Sequence, residues 1–352
     1  MNSAKYACKR MALTIPTLLA VSLIIFHTTT FFSPRQRLAL YLSEQRYVNP
    51  WGPDPTEDLI AKYHLNDTFF AQYIAWIREV LRGNLGYSFL YKMPVSKVIL
   101  NGFAATLELV LFAFPIIFLG GYKLGVLSAN RAHKRKGKED LVDFSIRSLS
   151  ILGYSIPQFC VALLVLLVFY LCLGWIGPGR LGSMSQSIVS SLEWTDYTGL
   201  YTVDALLNGD LKVFFDALMH LVLPVMTLTV STLPIVTRIT RSSMLEELVK
   251  PYVLAAKAKG LNEKTVAKRV GRNALTPVLT VSGILLASML TGVIVTEHVF
   301  MIHGMGSMIV QAARRLDYPL LVGFTLVFFL LFTIINLAVD IIYAYINPRI
   351  GQ

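Results

Sequence analysis

Three carboxylates, Glu108, Glu297 and Asp340, sit inside apolar runs of a 352-residue chain. A charge in hydrocarbon is costly, so such a residue is read first as part of an ion, proton or substrate path, and second as a paired structural group. His298 follows Glu297 directly, and an imidazole can exchange a proton near neutral pH. The pair Glu297–His298, with Glu108, is therefore the candidate path or gate. A proton relay needs a series of such groups, whereas these acids are scattered at different depths. Asp340 lies near the end of its run and suits pairing with a neighbouring cation, while Lys123 can snorkel to the nearer surface. His298 and His303 lack a third ligand at metal spacing, His27 reads as a packed polar residue, and Cys8, Cys160 and Cys172 form no C-x-x-C pair. H-E-x-x-H, G-x-S-x-G and G-x-x-x-x-G-K-[ST] are absent from the sequence. Gly177, Gly179 and Gly182 spell G-x-G-x-x-G, but the pattern follows an apolar run with no strand–turn–helix context. The expectation is a chain with no catalytic residue, no metal and no cofactor of its own. Energy for any work it does comes from a partner or an ion gradient.

The elements that must hold these residues are membrane helices. Hydrophobic residues make up 55% of the chain and charged ones 15%, and the mean hydropathy is +0.58. Six stretches are long enough to cross a bilayer: Met11–Phe32, Phe103–Leu127, Val142–Leu173, Leu218–Ile239, Val278–Val299 and Leu320–Tyr345. The net charge of +11 is concentrated in particular inter-span segments, which points to topology and anionic lipid, not to nucleic acid. Arg131 to Lys138 and Lys250 to Arg272 are basic, while the segment between spans three and four carries Glu193, Asp196, Asp204, Asp210 and Asp216. Both termini and the basic segments are therefore expected on the cytoplasmic side of a multi-pass cell-membrane protein. The chain divides into residues 1–32, a tail and first span; residues 33–102, an external subdomain; and residues 103–352, a five-helix core. Within the external part, Asp58–Arg82 has apolar residues at helical spacing, and Trp51 and Trp76 suit the headgroup level or a partner. Pro115, Pro157, Pro224 and Pro234 favour kinks or breaks, and Gly121 with Gly125 forms a close-packing G-x-x-x-G pair.

One segment departs from the apolar pattern. Tyr252–Lys259 reads as a short helix whose Ala255, Ala256 and Ala258 give a low profile, ended by Gly260 in a left-handed cap. Asn262 caps a second short helix with Val266 and Val270 on one face. A basic helix lying on lipid and a docking knob for another protein are both open readings.

Ala255-Ala256 followed by Gly260, within a loop at about 243–276, resembles the EAA loop of ATP-binding-cassette importer permeases. The likeness is to the peptide/nickel branch and its B-type (dipeptide/oligopeptide) subunit. The resemblance extends along the chain through Ile15-Pro16-Thr17, Gly83-Asn84-Leu85-Gly86-Tyr87-Ser88, Ala105-Thr106-Leu107-Glu108, Ser155-Ile156-Pro157 and Leu173-Gly174-Trp175. It continues through His220-Leu221-Val222-Leu223-Pro224, Glu297-His298-Val299-Phe300, Gly304-Met305-Gly306, Asp317-Tyr318-Pro319 and Asn347-Pro348-Arg349-Ile350. Three features depart from the pattern. Leu254 stands where the motif carries glutamate, Ser33-Pro34-Arg35 replaces proline–glycine–aspartate, and Gly177–Leu218 is long and acidic.

The resemblance implies an all-α type I importer membrane domain, paired with a C-type permease. It also implies two cytoplasmic ATPase subunits that bind ATP and Mg, and an extracytoplasmic binding protein. Coupling to the ATPases would fall to Tyr252, Ala255, Ala256, Lys259 and Gly260, and the cargo would be a dipeptide or oligopeptide, with oligosaccharides and nickel chelates as alternatives. A gradient-driven secondary transporter and a receptor or assembly subunit without transport are the rival classes.

Overall fold

The computed structural model describes residues 3–42, 56–134 and 140–346. Trp51, most of the basic run Lys134–Lys138 and the Asn347–Ile350 motif lie outside the described residues. The first apolar run forms α1 (Ser3–Thr29). Ser33 then caps the short α2 (Pro34–Arg37) in a capping box with Gln36, so the unusual Ser-Pro-Arg is a helix start. The periodicity at 58–82 is carried by two helices, α3 (Thr56–Lys62) and α4 (Phe69–Leu81), with His64 at φ 57 between them. Trp76 lies 5.3 Å from Phe26 and is buried, so it is a core residue of this subdomain rather than a headgroup anchor. A two-residue antiparallel pair, β1 (Tyr87–Ser88) and β2 (Met93–Pro94), leads into α5 (Val95–Lys134).

The third expected span is broken. Helix α6 (Leu141–Ser155) and α7 (Gln158–Val165), extended by the π-helical turn Leu166–Cys172, meet at 98°. Pro157 supplies no N–H and pushes Ile156 into extended backbone, at ψ 124. Pro115, Pro224 and Pro234 instead lie inside unbroken helices. At Pro234 the fourth carbonyl back, that of Val230, loses its helical donor and lies against Gly153, where a Cβ would stand 2.8 Å away. The remaining elements are α8 (Ser183–Val189), α9 (Tyr201–Leu207), α10 (Leu211–Leu248), α11 (Pro251–Ala258), α12 (Glu263–Gly292), α13 (Ile294–Val299), α14 (Met305–Arg315) and α15 (Tyr318–Ile346). The second of the two expected short helices is thus the start of α12, continuous with span five.

Five helical stretches are long and apolar enough to cross a bilayer, and the bent α6–α7 pair makes six. The chain is an integral membrane protein of mostly helical structure. Its main core lies among α5, α7, α10, α12 and α13. Gly121 and Gly125 let α10 close on α5: a Cβ at Gly121 would stand 2.7 Å from Val236 Cβ. A second cluster joins residues 38–42 and 59–80 to α1 and α15, while residues 95–102 of the expected 33–102 subdomain form the first turns of α5.

Candidate functional site

Helix ends gather at two poles. One holds α2–α4, α8, α9, α13 and α14. The other holds the end of α5, the start of α6, the α10–α11 turn, α11 and the start of α12. The carboxylates of the first pole share a task that spacing alone does not reveal.

At α14 the N-cap is Gly304, which has no side chain to satisfy the first backbone donors. Glu297, fully buried on α13, supplies the acceptor instead. Its Oε2 takes the Ser307 N–H at 2.9 Å, and its carboxylate also accepts from Gly306. Thr106 of α5 donates to Glu297 Oε1 at 2.5 Å and accepts the Met305 N–H at 2.9 Å. The same arrangement recurs at α9, whose N-cap Leu200 has no polar side chain. Glu108 Oε1 accepts the N–H and hydroxyl of Thr202 at 2.7 and 2.8 Å, while Oε2 meets Arg180 at 2.7 Å. Arg180 also donates to Gly199 O and stacks 4.0 Å from the Tyr201 ring. Asp216 accepts the N–H of Gly182, the N-cap of α8, and Asp317 accepts from Ser88 and from the Leu90 N–H. Each acid places negative charge at a helix or turn start where donors are unpaired.

Glu108 and Glu297 are therefore buried caps of two different helices, with no hydrogen bond to each other or to His298 among the described residues; His298 is exposed on α13. Asp340 is half-buried on α15. Replacing Glu108 with Ala leaves Arg180 and the α9 start without their shared acceptor. Limited proteolysis of the 177–210 segment is expected to speed up about tenfold, the equivalent of ~1.4 kcal/mol of local stability. An unchanged digestion pattern would remove this assignment.

The opposite pole carries α11. Val253 and Ala256 face inward, joining Ala129, Met244, Leu248, Val266, Val270 and Ala274 from α5, α10 and α12 in one apolar cluster. Tyr252 donates its hydroxyl to Glu247 Oε2 at 2.7 Å, and Lys250 pairs with the same carboxylate. Burial, then the Glu247 hydrogen bond, push the Tyr252 phenol up to about 12, so it stays a donor. Gly260 ends the helix at φ +76 with open space around its α-carbon, and Asn262 Oδ1 caps α12 through the Thr265 N–H at 2.8 Å. Leu254, Ala255, Ala258 and Lys259 are left exposed, with Leu254 at 67%. The five expected coupling residues are thus adjacent but divided. Ala255 and Lys259 point out, Ala256 points in, Tyr252 locks the turn and Gly260 shapes its exit.

Two cation-bearing features are set by packing and not by spacing. Arg241 of α10 meets Asp143 of α6 through two bonds, at 2.8 and 3.0 Å, with Ser128 donating to the same carboxylate. Above this pair a groove of about 760 Å³ opens between α6 and α10, lined in part by Arg147, Tyr154 and Arg238. The signal was available, since Arg147 and Arg238 fall inside spans three and four as first drawn.

Comparison with known proteins matches residues 121–352 to the family described as "Binding-protein-dependent transport system inner membrane component". The chain is 32% identical over 346 residues to the "Dipeptide transport system permease protein DppB" of Alkalihalophilus pseudofirmus, covering 98% of each chain. It is 31% identical over 349 residues to the "Oligopeptide transport system permease protein AppB" of Bacillus subtilis, covering 99% of each. It is 36% identical over 302 residues to the "Probable D,D-dipeptide transport system permease protein DdpB" of Escherichia coli, covering 84% of each.

Proposed function

Because the chain belongs to the family of binding-protein-dependent transport system inner membrane components, we propose that it is the B-type membrane subunit of an ATP-driven importer of dipeptides or oligopeptides. The observation that carries the reading is α11. A short helix is clamped by Tyr252, Val253 and Ala256 to the ends of three membrane helices, and it offers Leu254, Ala255, Ala258 and Lys259 outward. Such a helix transmits a push on its outer face to α5, α10 and α12 together, because interior packing is stiff.

In this reading the α11 pole is cytoplasmic, consistent with its lysines and arginines. Two ATPase subunits bind ATP and Mg and hold the exposed face of α11. A second, C-type permease completes the path, and a binding protein delivers cargo to the opposite pole. Leu254 gives this docking face an apolar contact where an acid would give an ionic one, so docking here is less sensitive to salt than a charge-paired version.

Reconstitution decides the matter. The chain, its companion permease, the two ATPases and the binding protein are placed in proteoliposomes, and radiolabelled dipeptide uptake is followed. Uptake that needs both ATP and the binding protein supports the proposal. Uptake driven by a proton or sodium gradient without the ATPases would replace it with the secondary-transporter reading.

A further inference from the structure

We infer that the groove between α6 and α10 is this chain's wall of the cargo path, and that Arg238 and Arg147 hold the cargo's carboxylate there. The inference rests on the importer reading and gives it a residue-level contact.

Cations inside a span face protein, water or a partner charge, because lipid solvates them poorly. Arg241, a turn nearer the α11 pole, is matched by Asp143. Arg147 and Arg238 are exposed; Arg238 has no ion-pair partner among the described residues, whereas Arg147, one turn beyond Asp143 on α6, lies in the field of that carboxylate without pairing to it. The groove therefore carries one unmatched positive charge, on Arg238, and a second, on Arg147, that the already paired Asp143 only partly offsets. Its one carboxylate outside the Asp143 pair, Glu246, stands at the α11-side mouth and accepts from Ser242 at 3.2 Å.

The direction of Arg238 separates a path from a lipid contact. On a helix each Cα–Cβ bond tilts toward the N-terminus, so Arg238 on α10 leans away from the α11 pole while Tyr154 on α6 leans toward it. The two meet, with the guanidinium 5.5 Å from the Tyr154 ring centre. Tyr154 lies eleven residues beyond Asp143, about 16 Å further along α6. A lipid-anchoring arginine extends toward the nearer headgroups. This one extends the other way, along the groove and over an aromatic face, which keeps its donor edge free for a carboxylate. The hydroxyls of Ser150 and Ser155 already donate to Ile146 O and Ile151 O at 2.7 Å, so they meet cargo as acceptors. A volume near 760 Å³ lies within the ~300–1,000 Å³ of small-molecule sites and accommodates a short peptide.

The test uses the complete importer in proteoliposomes, radiolabelled alanyl-alanine as cargo, and the variants Arg238→Gln, Arg238→Lys and Arg147→Gln/Arg238→Gln. The double variant is expected to slow uptake about tenfold or more at an unchanged melting temperature in detergent, with Arg238→Lys recovering most of the rate. Wild-type uptake by the double variant overturns the inference. So does a loss that comes with a lowered melting temperature and that lysine does not rescue, which marks a structural role. Variants and wild type that differ in vesicles rich in anionic lipid but match in pure phosphatidylcholine also overturn it, in favour of a headgroup site. A wild-type complex that imports no dipeptide at all removes the importer reading, and the groove assignment with it.

Discussion

Ala255→Trp is expected to abolish ATP-dependent uptake while leaving the melting temperature of the protein in detergent unchanged; Ala256→Trp is expected to lower both. The two alanines are neighbours in sequence, and their difference comes entirely from the face each occupies. Ala255 is exposed on the outer side of α11, where a Trp meets only solvent in the isolated chain. Against an ATPase surface shaped for a methyl group, the indole prevents close approach. A docking loss of ~1.4 kcal/mol lowers occupancy tenfold when binding is limiting, and a steric block of this size exceeds that. Ala256 is 7% exposed within the cluster of Met244, Leu248, Val253 and Val270, where a large side chain forces strain of about 1–3 kcal/mol into the packing. Uptake in proteoliposomes paired with a detergent melt reads both effects. Equal melting losses for the two variants would show that α11 has no free outer face, and normal uptake by Ala255→Trp would show that nothing docks there.

The same contrast shows what could be read from the sequence and what could not. Alanine content and Gly260 located α11 and its end, because propensity and a left-handed cap are local properties. Asn262 and the Val266–Val270 face were also local, and they hold. Which alanine faces inward depended on how α11 rests on α5, α10 and α12, and no window of sequence contains that. The 98° break at Pro157 and the continuity through Pro224 and Pro234 divide for a similar reason. A proline always removes a donor, but whether the helix survives depends on what packs over the freed carbonyl, as Gly153 does over Val230. The acidity of the 177–218 segment is plain in the sequence, but the use of each carboxylate is not: Asp204, Asp210 and Asp216 bind backbone donors within the chain, while Glu193 and Asp196 are exposed. Arg147 and Arg238 were visible as cations within spans. The groove they line exists only where α6 packs beside α10, and no window of sequence contains that.

Glu297 carries the largest expected effect on stability. Glu297→Ala removes the acceptor for Gly306, Ser307 and the Thr106 hydroxyl in a fully buried position. A buried donor left unpaired costs ~1–3 kcal/mol, so for these three donors a total of about 4 kcal/mol is expected. Glu297→Gln keeps an acceptor oxygen and the side-chain volume, and should lose about half as much. Gly304→Ala tests the geometry from the other side, because its Cβ would collide with the Glu297 carboxylate. It should displace the cap and destabilise α14 although no polar group has been removed. The measurement is thermal or denaturant unfolding of the detergent-solubilised chain, with hydrogen exchange at Met305, Gly306 and Ser307 as the local readout. A path role makes the opposite forecast: Glu297→Ala would then keep its melting temperature and its exchange protection and lose only transport. Those two patterns cannot coincide, since a side chain that accepts from three buried donors cannot be removed without leaving them unpaired.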